Sequence, residues 1–178
     1  MATNSGSGDT FDGARTRKVR LSPMSETLFQ AYLATAVQEY AQGHLKSGDC
    51  EPEDALRLAQ KDYQELLPNG LQTKNHFLFS IYDDASDAAE SIGMVWFAVK
   101  DQRAVKSTFI YDFSIREDLR GHGYGRATLG KVEELIRQMG IGKVFLHVFG
   151  YNHAARALYE KMGYQITGIG MTKSLDKR

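Results

Sequence analysis

Cysteine is nearly absent from this 178-residue chain, where Cys50 stands alone. One thiol excludes an intrachain disulfide framework and a cysteine-built zinc site. Net charge is missing too, because 22 Lys and Arg balance 22 Asp and Glu. A neutral chain carries no electrostatic footprint for nucleic acid or an anionic membrane as its main partner. No apolar run approaches the roughly 20 residues that a membrane span needs. The N-terminus has no apolar stretch of the secretory kind, so the chain reads as a protein of the reducing cytoplasm.

What remains is ordinary globular composition, 42% hydrophobic and 25% charged, in a length that suits one domain with a proper core. Residues 1–17 are rich in Gly, Ser, Thr and Asp, with Phe11 as their only large apolar side chain after Met1. They read as a disordered tail, leaving 18–178 as a single folded domain.

Hydrophobic spacing organises that domain. Leu28/Phe29, Tyr32/Leu33, Ala36/Val37 and Tyr40 form the stripe of an amphipathic helix, for which Ser22 offers an N-cap and Pro23 a first helical position. A second helix is expected after Pro52, with Ala55, Leu56, Ala59, Tyr63, Leu66 and Leu67 inward, and it stops at the Pro-Asn-Gly of 68–70. The period then shortens to that of strands over 77–82, 91–99 and 107–115. A helix over 124–139, a strand over 143–149, a short helix over 153–162 and a last strand or hairpin from Tyr164 complete the pattern. This is an α/β chain (α+β in three layers): a mixed, mostly antiparallel sheet covered by helices, with 124–139 as a parallel crossover.

Between strand and crossover helix lies Arg120-Gly121-His122-Gly123-Tyr124-Gly125-Arg126. A dinucleotide fingerprint requires G-x-G-x-x-G, but Arg126 stands where its third glycine belongs. A nucleotide-triphosphate loop can be counted from Gly125 to Gly130-Lys131, but Val132 replaces the magnesium-binding hydroxyl and the stretch lies within the helical stripe. A metal-free anion cradle fits better. Glycines let the backbone approach closely, and a helix N-terminus turns several N–H groups toward a pyrophosphate.

The same residues resemble the [QR]-x-x-G-x-[GA] hallmark of the GNAT superfamily of acyl-CoA-dependent N-acyltransferases. A second stretch, with Asn152, Ala155, Leu158, Tyr159, Gly163 and Tyr164, is similar to the family's N-x-x-A-x-x-L-Y-x-x-x-G-[FY]. The resemblance implies a GNAT fold of about 6–7 strands, splayed between 107–115 and 143–149, with acetyl-CoA in the gap. It implies that the backbones of Phe113 and Ile115 pair with the pantetheine arm as an added strand. The amides of Arg120, Gly121, His122, Gly123, Tyr124, Gly125 and Arg126 would hold the pyrophosphate, with the His122 side chain at the rim, and Asn152 would bond the arm.

The implied chemistry is acetyl transfer to a primary amine, directly, in a ternary complex, since Cys50 is far in sequence from both motifs. An alkyl amine, with a pKa of about 10.4, must lose a proton, and the leaving thiolate must gain one. The resemblance puts Tyr159 near the sulfur as the acid. For the base three options stand open. His147 occupies a strand position where some relatives carry a glutamate, and imidazole titrates near neutrality. Asp112 is the nearby carboxylate, if a bulge turns it toward the cleft. Water alone is the third. Phe109 stands where other relatives place an acid. His44, His76 and His153 lack partners at metal-ligand spacing, so no metal site is expected.

The acceptor, a small molecule or a peptide amine, would enter between the first two helices and the strands of 77–99, where Tyr32, Tyr40, Trp96 and Tyr111 are available. A homodimer is compatible with all of this. The competing reading is a non-catalytic acyl-CoA sensor or regulatory module, which would keep the glycine turn without needing Tyr159.

Overall fold

Serine and proline near residue 22 belong to a strand, not to a helix start. In the computed structural model, which describes residues 17–48, 50–86, 90–102, 105–173 and 175, β1 runs Val19–Pro23 and pairs antiparallel with β2, His76–Asp83. Pro23 closes an edge strand, a place that tolerates its missing donor. The helix α1, Glu26–Ser47, is capped three residues later than expected: Ser25 Oγ accepts from Leu28 N at 3.3 Å. It extends past the Tyr40 end of its stripe, through buried Ala41 and Gly43, to a left-handed Gly48. The second helix, α2, is Ala55–Leu66 as its spacing predicts.

β3, Gly93–Gln102, and β4, Val105–Ile115, complete an antiparallel meander. After the glycine turn come α3, Tyr124–Gln138, then β5, Val144–Leu146, and α4, His153–Lys161. Among the described residues the sheet has five strands in the order β1-β2-β3-β4-β5, and only β4 and β5 are parallel. The mixed α/β class holds, while the strand count falls below the expected 6–7. The C-terminal strand expected from Tyr164 does not form: the described residues from Gln165 onward are exposed and unpaired, and Gly168 and Gly170 weaken any strand there. The tail expected over 1–17 lies outside the described residues except for Arg17.

Alternation along β3 builds two cores. Met94 and Trp96 point to one face and join Phe29 and Ala36 of α1 with Tyr63 of α2 and its capping residue Leu67. Val95 and Phe97 point to the other and join Leu129, Val132 and Ile136 of α3. The sheet is thus the middle of three layers, and the cleft opens along its β4–β5 margin.

Candidate active site

Two register facts create the cleft. β5 is only three residues long and pairs with β4 at Thr108, Phe109 and Ile110, so the β4 edge from Tyr111 to Ile115 has no β5 partner. Opposite β3, Trp96 pairs with Asp112 but Phe97 pairs with Ile110, leaving Tyr111 as the extra residue of a β-bulge. The bulge breaks simple alternation, which alone would point Tyr111 and Asp112 to opposite faces. Tyr111 stacks on Trp96 at 4.6 Å, and Asp112 reaches α1, so both face the two-helix layer. Phe113 follows on the α3 side, near Gly125.

Asp112 ends a hydrogen-bonded chain that crosses three elements. Tyr32 Oη of α1 donates to Asp112 Oδ2 at 2.8 Å, and the Tyr63 hydroxyl of α2 lies 3.2 Å from that of Tyr32. With the Tyr32 proton committed to the carboxylate, Tyr63 is the donor of that second bond. Burial pushes the Asp112 carboxyl above the ordinary range, while Tyr32 and the Phe113 amide hold it down and the charge of Glu39 adds to the rise. The Tyr32 and Tyr63 phenols are pushed far up, by burial first and by the Asp112 charge second.

A cavity of about 530 Å³ lies along the open edge, and its walls include Asp112, Phe113, Arg120, His147, Asn152 and Tyr159. The Tyr159 phenol is pushed up to about 12, mainly by burial and then by Asp112. It therefore keeps its proton at neutral pH. His147 is one residue beyond β5, outside the strand expected for it, exposed and edge-on to Phe149 at 5.1 Å. Asn152 caps α4, where its Oδ1 accepts from Ala155 N at 3.2 Å and its amide donors remain for the cleft. Asp112, Glu39 and Arg120 also border a second hollow of about 360 Å³ beneath α1.

Phe149 roofs the cleft because Gly43 lets it. A Cβ on Gly43 would stand 2.8 Å from the Phe149 ring, so any larger residue there would force the ring to shift from its place on α1.

At the other end, Gly123 caps α3 with φ 88°, a conformation that glycine adopts without strain. The helix ladder begins with Ala127 N donating to Gly123 O, so the amides of Tyr124, Gly125 and Arg126 precede it and point outward. A Cβ on Gly121 would meet nothing within 4 Å, so the turn is an open cradle of the kind a pyrophosphate fits. Arg120 Nε donates to Ile115 O at 3.0 Å, which ties the turn to the end of β4. That bond uses one acceptor site of the Ile115 carbonyl.

The Tyr124 side chain is turned away from the cradle and buried, its hydroxyl donating to Asp83 Oδ2 at 2.6 Å, so only its amide serves the turn. His122 and Arg126 are exposed. Arg17, which nothing in the local sequence marks, donates from Nε to His122 O at 3.2 Å and stacks on Tyr124. Glu39, Tyr63 and Phe149 were likewise not singled out for the site. Tyr63 was legible only as an inward residue of α2, and nothing local marks the other two.

Among the described residues the sheet is split at its one parallel pair, with the glycine turn at one end of the split and a carboxylate and a phenol along it, which places the chain in the mixed α/β class with an open-edged cleft. Within that class, residues 33–164 match the model of the acetyltransferase (GNAT) family. The chain belongs to the GNAT family. It is 38% identical over 157 residues to the uncharacterized N-acetyltransferase YycN of Bacillus subtilis, covering 88% of this chain and 99% of that one. It is 34% identical to YdgE of the same organism, an uncharacterized N-acetyltransferase, over 87% of this chain and 97% of that one. The crystal structure of YycN superposes with a TM-score of 0.83 over 90% of this chain and 100% of that one.

Among the described residues, no group of His, Cys, Asp and Glu could hold a metal ion. No described helix is long and apolar enough to cross a membrane.

Proposed function

We propose that this protein transfers the acetyl group of acetyl-CoA to a primary amine, directly, in a ternary complex. The observation that carries the reading is the open β4 edge, which runs from the glycine turn to Asp112 and Tyr159. Bound acetyl-CoA supplies an activated acyl thioester. The amides at the start of α3 hold its pyrophosphate, the main chain at Phe113 and Ile115 lies along its arm, and the Asn152 amide donates to it.

The amine must be neutral before an N–C bond can form, and breaking the C–S bond leaves a thiolate. Asp112 receives the ammonium and then its proton, and a carboxyl raised by burial is a better base than a surface one. Tyr159, still protonated, gives its phenolic proton to the sulfur as the C–S bond breaks, and the second proton shed by the acylated nitrogen restores the phenol. His147, exposed at the cleft wall, passes protons between the site and solvent. Cys50 packs with Ala41, Ala55 and Ala59, away from the cleft walls, which supports direct transfer over an acyl-cysteine. The acceptor is a small-molecule or peptide amine.

The test is a calorimetric titration with acetyl-CoA in magnesium-free buffer, with ATP and NADH as controls, followed by thiol release in the presence of amines. Micromolar binding of acetyl-CoA alone and amine-dependent thiol release are expected. Binding without thiol release for any amine would point to a sensor module, and a signal for ATP or NADH alone would overturn the reading.

A further inference from the structure

The acceptor half of the cleft has a composition of its own. On the two-helix side its accessible walls are the rings of Tyr40, Tyr111, Phe149 and Tyr151, together with Glu39 and Asp112. Trp96 and Tyr63 close the floor behind them as buried rings. The two carboxylates lie at the same end, where this cavity meets the hollow beneath α1, since both of them border both. Rings fill the remainder.

Two lysines stand near these rings without entering the cavity. Lys100 Nζ stands 5.1 Å from the centroids of Phe109 and Tyr111, and Lys46 Nζ stands 5.7 Å from that of Tyr151. Neither lysine borders the cavity; its basic walls are Arg120, fastened at the glycine turn, and His147. Among the described residues, a substrate carboxylate or phosphate would meet no fixed cation on the acceptor side. A second ammonium would lie among rings, away from both carboxylates, and lose hydration with only ring faces in return. The cavity, about 530 Å³, must also hold the thioester end, which leaves room for a small body.

Resting on the acetyltransferase reading, we infer that the acceptor is a small primary monoamine with an aromatic body, an arylalkylamine. Its ammonium lies between Glu39 and Asp112, and its ring lies against Tyr40, Tyr111 and Phe149. Glu39 is then a specificity residue at the entrance, and Asp112 is shared with the chemistry.

Four probes decide it: phenethylamine, phenylalanine (the same body with a carboxylate), 1,4-diaminobutane and propylamine. With acetyl-CoA saturating, kcat/KM from thiol release is expected to favour phenethylamine over each of the others by about tenfold or more, the scale of one desolvated cation–π or packing contact. Equal or better use of phenylalanine, diaminobutane or propylamine overturns the inference. So does absence of turnover with phenethylamine while acetyl-CoA still binds, whereas loss of acetyl-CoA binding itself would bring down the underlying reading.

The variant Glu39→Gln changes an exposed helical position and should leave the fold and acetyl-CoA affinity intact. It should raise KM for phenethylamine severalfold, as expected when an exposed charge partner at the cavity mouth is lost. An unchanged KM would remove Glu39 from the ammonium site and overturn the placement.

Discussion

Removing one hydroxyl from Tyr32 tests the role of Asp112. The bond from Tyr32 Oη favours the ionised carboxylate, so the Tyr32→Phe variant loses an influence that holds the Asp112 pKa down. The carboxyl, already raised by burial, then rises further, and its basic form is populated only at higher pH. The acid limb of the kcat/KM profile should therefore move to higher pH, with acetyl-CoA affinity unchanged. A limb that stays in place would assign the proton to another group. Tyr159→Phe removes the proton donor but keeps the ring, and should lower kcat by about 10²-fold with acetyl-CoA binding intact. Unaltered turnover would reduce Tyr159 to a packing residue of the α3 core. Asp112 and Tyr159 could both be named from sequence, but the tyrosine chain joining Asp112 to α1 and α2 could not. Its members, Tyr32 and Tyr63, lie 31 residues apart, and each reads locally as an inward position on a helical stripe.

At the scale of elements, the start of α1 separates local signals from long-range ones. Ser22-Pro23 has the chemistry of a helix start, and Ser25 has the same chemistry three residues later. Pairing of Val19–Pro23 with β2, across more than fifty residues of chain, decides between them. Ser25→Ala should cost about 1 kcal/mol and lower the melting temperature, while Ser22→Ala should change stability little. The opposite order would restore the earlier cap. α3 was legible throughout, because a glycine turn followed by a regular apolar stripe carries both its start and its buried face. β5 was legible in position but not in length: Val144–Leu146 ends where β4 stops pairing with it, and no spacing in the sequence marks that point.

For the molecule as a whole, the split sheet makes acetyl-CoA a structural partner under the proposed function. Binding along the open edge should slow amide hydrogen exchange over 111–115 and the first turn of α3. At a hundredfold excess over Kd it should stabilise the fold by about 2.7 kcal/mol, read as a rise in melting temperature. Protection confined to other segments would put the ligand elsewhere. The sequence by itself determined the α/β class, the crossover helix, the glycine cradle and the helix-capping Asn152, because each rests on local spacing, on glycine's freedom at positive φ, or on a cap within one turn. Only the tertiary structure decided the edge strand β1, the bulge that turns Tyr111 and Asp112 to one face, and the approach of Phe149 to Gly43. It also brought Glu39 and Tyr63 to the site. These depend on register and on packing between segments distant in the chain, and a periodicity of two or of 3.6 residues carries no record of either.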